Sequence, residues 1–61
     1  MNADVLTRYW ISCNKWTAQV GTDDEGTIVF TAPIVRKFQG QKLENLIAWA
    51  KKLGGFEMEK L

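Results

Sequence analysis

Histidine is absent, and cysteine and proline each occur once in the 61 residues. Each shortage closes a class of chemistry. Without imidazole the commonest general base is missing. Cys13 alone permits no internal disulfide, has no imidazole to activate its thiol, and cannot build a metal site. One cysteine fits a reducing compartment. No apolar run approaches the roughly 20 residues that span a bilayer. Met1 to Leu6 lacks the basic start and apolar stretch of a signal peptide. A cytoplasmic protein is therefore expected.

Charge of one sign is also scarce. The net charge is +1, far from the basic footprint of a strong nucleic-acid binder. Its distribution is uneven. Residues 1–30 hold Arg8 and Lys15 against Asp4, Asp23, Asp24 and Glu25. Residues 31–61 hold Arg36, Lys37, Lys42, Lys51, Lys52 and Lys60 against Glu44, Glu57 and Glu59.

What is present is apolar and aromatic: three Trp, three Phe and one Tyr, with 46% hydrophobic residues. That composition belongs to a folded chain. Its length suits one small domain spanning 1–61, with a single layer of core and no room for a deep active-site cavity. A core this thin gains much from burial against a partner.

The clearest periodicity runs from Lys42 to Leu53. Leu43, Leu46, Ile47, Ala50 and Leu53 share one side of a helix, and Glu44, Ala48, Lys51 and Lys52 the other. Gly54-Gly55 follow as closing residues. A helix this short needs another surface to lie on.

The first half supplies that surface. Leu6 to Ser12 has strand character, and Cys13-Asn14-Lys15 suits a turn. In Trp16 to Thr22, Trp16, Ala18 and Val20 alternate with Thr17, Gln19 and Gly21. Asp23-Asp24-Glu25-Gly26 is a second turn, because short acidic side chains bond their own backbone and Gly26 accepts a positive φ. Thr27 to Thr31 resumes a strand that Pro33 must end. Pro33 also suits the start of a helical turn that tucks Ile34 and Phe38 under the main helix. Phe56 to Lys60 alternates again and reads as a final edge strand. The expected fold is α+β: a three-stranded antiparallel meander packed on one main helix, with a possible fourth strand at the C-terminal edge.

Trp16-Thr17-Ala18, Asp24-Glu25-Gly26, Ala32 through Gln41 and Asn45-Leu46 together resemble a group of small prokaryotic proteins, some carried by phages or other mobile elements. The resemblance covers residues 9–53. It implies no activity, only that Ala32 to Gln41 is a recurring feature of the fold and that an accessory or modulator role is a reasonable expectation.

Catalytic and cofactor motifs are lacking. Residues 21–26 have glycines at both ends but no Gly-Lys-Ser/Thr ending, and no calcium-loop ligand spacing. The pairs Asp23-Asp24 and Glu57/Glu59 sit in solvated segments, where carboxylates keep ordinary acidity. No catalysis, metal or cofactor is expected.

Binding is the remaining class. If Tyr9, Ile11, Trp16, Ala18, Ile28 and Phe30 face the helix, Trp10 and Val29 face out on the sheet's bare side. Trp49 lies at the margin of the helix stripe. These three are the candidate contacts for a protein partner or a second copy of the chain. The alternative is a nucleic-acid surface built on Arg36, Lys37 and Lys42, with Tyr9, Trp10 or Trp16 stacking on bases.

Overall fold

The computed structural model describes residues 6–61. Four antiparallel strands form one sheet: β1 (Thr7–Ser12), β2 (Thr17–Thr22), β3 (Ile28–Thr31) and β4 (Glu57–Lys60), in the order β3-β2-β1-β4. A 3-10 segment, Pro33–Phe38, follows β3, and helix α1 spans Leu43–Leu53. The fold is α+β, with the C-terminal segment as the edge strand. No helix among the described residues is long and apolar enough to cross a membrane.

The second turn of the meander is closed by the residues its chemistry selects. Asp23 Oδ1 accepts the N–H groups of Glu25 and Thr27, each at 2.9 Å, and Gly26 takes a φ of 82°. Contrary to the ordinary acidity expected of a solvated turn, the bond from the Thr27 N–H, the largest cause, holds the Asp23 carboxyl below the usual range. The stability Asp23 contributes is therefore present above its unfolded pKa of about 3.9 and is lost as pH falls through its lower folded value. Urea unfolding between pH 6 and pH 3 checks this: Asp23→Asn is expected to flatten the acid limb and leave neutral-pH folding intact.

The core lies between the sheet and α1. Ile11, Trp16, Ala18, Val20 and Ile28 come from the sheet side, Leu46 and Ala50 from the helix, Val35 and Phe38 from the 3-10 segment. Tyr9 is half-buried and packs on the same cluster. Lys42, at the N-cap of α1, makes no side-chain capping bond. The Leu43 N–H instead donates to the Gly26 carbonyl at 2.8 Å, so the second turn satisfies the first helical amide.

Two expected side-chain placements are corrected. Ile34 is 58% exposed, whereas Val35 is fully buried beside Phe38. The segment is not one regular helix: Val35 has a non-helical φ of −118° and ψ of 24°, so two short turns meet there and a spacing of four does not carry Ile34 onto the face of Phe38. Phe30 does not face the helix. The β2–β3 register runs Gly21↔Phe30 and then Thr22↔Ile28, which leaves Val29 as an extra residue in a bulge. One added residue moves Phe30 to the opposite face.

Candidate functional site

The sheet face turned away from α1 is built in rows set by the registers. Glu59 lies opposite Trp10, and Trp10 opposite Gln19; Arg8 lies opposite Gly21, and Gly21 opposite Phe30; Glu57 lies opposite Ser12, and Ser12 opposite Thr17. Directly opposite residues point to the same face of a sheet. Trp10 is 44% exposed, Val29 39% and Phe30 38%. Nothing among the described residues covers this side.

Gly21 shapes the middle of the face. A Cβ there would sit 2.7 Å from Cδ2 of Phe30, so the Phe30 ring occupies the space above the glycine. The Arg8 guanidinium stands 5.9 Å from the centre of the same ring, within the range of a cation–π contact. Phe30 and Arg8 were not singled out from sequence. The available signal was Gly21 itself, since a glycine inside a strand often marks close approach by another group.

Of the residues chosen from sequence, Trp10 and Val29 are both exposed on the sheet side, Val29 at the bulge. Trp49 is elsewhere. It is half-buried on α1, stacked on Trp16 with ring centres 5.6 Å apart and lying 5.2 Å from Phe38. The structure does not bring it together with Trp10 and Val29.

The basic residues are dispersed in their engagements. Lys37 Nζ stands 4.2 Å from the centre of the Trp49 ring. Lys42 Nζ donates to the Glu25 carbonyl at 3.0 Å. Arg36 is exposed on the 3-10 segment. Two of the three cations thus already have a contact within the chain.

The two sheet edges differ. At β3 the Ile28 N–H donates to the Gln41 carbonyl at 2.8 Å and the Ile28 carbonyl accepts from Gly40 at 2.7 Å, so the Ala32-to-Gln41 segment returns to cover part of that edge. Among the described residues the only strand neighbour of β4 is β1. A shallow groove there is lined by Trp10, Glu57, Met58 and Glu59.

Among the described residues no group of three or more acidic, cysteine or histidine side chains is placed to hold a metal ion. Cys13 is half-buried next to the first turn. No protein-family model, curated protein or solved structure matches the chain.

Proposed function

We propose that this chain is a non-catalytic protein-interaction module that meets another protein through the bare sheet face centred on Trp10. The observation that supports it is that, among the described residues, one uncovered face carries Trp10 and Phe30, with Val29 exposed at the bulge beside Phe30. Large aromatics on a rigid sheet present contact area at small entropic cost and are frequent anchors of interfaces. The occupant is a second copy of the chain or a larger protein that this small domain modulates, in keeping with the resemblance to proteins of mobile elements. The nucleic-acid alternative has less in its favour, because Lys37 and Lys42 are engaged internally and the net charge is +1.

Two Trp10 variants test the reading. Trp10→Thr keeps strand preference and should change unfolding stability by no more than about 0.5 kcal/mol, as at an ordinary surface site. Trp10→Glu should abolish any concentration-dependent association seen by sedimentation velocity. A loss of about 2 kcal/mol in Trp10→Thr with association unaltered in Trp10→Glu would make Trp10 a structural residue and overturn the proposal.

A further inference from the structure

Among the described residues no strand lies beyond β4, and the polarity of that open edge says what suits it. The Leu61 N–H donates back to the Arg8 carbonyl at 2.9 Å. Backbone groups alternate along a strand, so those of Glu57, Glu59 and Leu61 point toward β1. The N–H and C=O groups of Met58 and Lys60 then point away from the sheet, available to a new strand.

Side chains divide the same way. Glu57 and Glu59 lie on the outer face, directly across from Ser12 and Trp10. Met58 lies across from the buried Ile11 on the helix side, yet is 41% exposed because it stands at the rim. A strand added here meets acid, apolar and acid in alternation, with Lys60 following on the helix side. Glu57 and Glu59 occupy the positions that do not exchange hydrogen bonds with the newcomer, where opposed side chains approach most closely.

A second copy of the chain is a poor occupant. A two-fold axis that pairs two β4 edges in one antiparallel sheet stands perpendicular to that sheet, so outer face meets outer face and the register centres on a residue. Centring on Glu57, Glu59 or Lys60 sets that charge opposite its own copy. Centring on Met58 sets Glu57 opposite the second copy's Glu59. Every symmetric register centred within β4 opposes like charges, which destabilises cross-strand pairing.

We infer that β4 docks an extended segment of another protein in which basic residues alternate with apolar ones. The basic side chains pair with Glu57 and Glu59 and reach the face of Trp10, while an intervening apolar side chain covers Met58. This rests on the reading of the chain as a protein-binding module, and it names the chemistry of the partner.

The probe is a blocked seven-residue peptide of alternating lysine and valine, compared with a peptide of the same composition carrying its lysines in one block, and with alternating glutamate and valine. The alternating basic peptide should bind saturably and slow amide exchange at Met58 and Lys60. The Glu57→Lys/Glu59→Lys double variant should weaken it about tenfold or more and bind the acidic peptide instead. Met58→Pro removes an outward-pointing donor without touching the bonds to β1. It should lose the peptide while the Leu61 amide stays protected. Equal binding by the block peptide, protection elsewhere in the protein, or no saturation by about 1 mM would overturn the inference. If the peptide fails while Trp10→Glu still abolishes association, the strand site falls and the sheet-face reading stands.

Discussion

Leu46→Ala is expected to lower unfolding stability by about 2–5 kcal/mol. For a domain of this length the total is only about 3–9 kcal/mol. The variant should therefore be substantially unfolded at 37 °C, with its thermal midpoint lowered by well over about 10 °C. The size of the effect follows from how α1 is held. Of its side chains only Leu46 and Ala50 are buried, and Leu46 is the one large residue among them. Leu43, Ile47, Trp49 and Leu53 are half-buried around it. An isolated 11-residue helix is marginal in water. Removing its main anchor leaves a cavity between two layers that have no third layer behind them to close in. Ala48, on the exposed side, is the control: Ala48→Ser should cost no more than about 0.5 kcal/mol. Urea denaturation followed by circular dichroism measures both. A Leu46→Ala cost below about 1 kcal/mol would mean that the helix is not fixed by this contact.

Leu46 was legible from the sequence because a helix writes its buried stripe at a fixed spacing. The same holds for Ile11, Ala18 and Val20, placed by strand alternation, and for the Asp23-to-Gly26 turn, where side chain and backbone lie within four residues of each other. Trp10 and Val29 followed from alternation as well. Phe30 did not. Its side depends on the bulge at Val29, which is fixed by pairing across two strands and not by the residues of β3 alone. Ile34 and Val35 exchanged roles because the segment breaks at Val35, where a helical spacing of four no longer applies. Trp49 showed its position on the stripe but not its stack on Trp16, since those residues are 33 apart and meet only when the helix is laid across the hairpin. The Phe30-Gly21-Arg8 row was hidden for a similar reason: it needs three strands in register. The alternation of β4 was visible, but its consequence appeared only with the sheet order. At the free edge, Glu57 and Glu59 repel a second copy and attract a basic segment. Short-range chemistry thus fixed the elements, and long-range register decided which faces they offer.

Gly55→Ala is expected to cost about 2–3 kcal/mol, combining a left-handed backbone penalty with the loss of a local contact. Gly55 has a φ of 70° and Gly54 a φ of 88°. Together they turn the chain out of α1 and into β4. The first hairpin turn is seated against them. The Asn14 N–H donates to the Gly54 carbonyl at 2.8 Å, and Asn14 Nδ2 donates to the Leu53 carbonyl at 3.4 Å. A Cβ on Gly55 would collide with Asn14 Oδ1 and lie 2.9 Å from Asn14 Cγ. Gly40 separates the two causes. Its φ is 91°, but a Cβ there meets nothing within 4 Å, so Gly40→Ala should show the backbone penalty alone, about 1–2 kcal/mol. Asn14→Ala in the Gly55→Ala background should restore part of the difference, which a double-mutant cycle by urea unfolding would measure. Equal costs at Gly40 and Gly55 would show that Asn14 does not clamp the helix end. The effect should also reach the binding edge. β4 begins two residues after Gly55, so a displaced Gly55 weakens the pairing of Glu57 with Ser12 first. Faster amide exchange at Glu57 and Glu59 should then accompany weaker binding of the alternating basic peptide. An edge strand can serve as a template only while its own partner holds it straight, and here that hold begins at a glycine pressed against an asparagine.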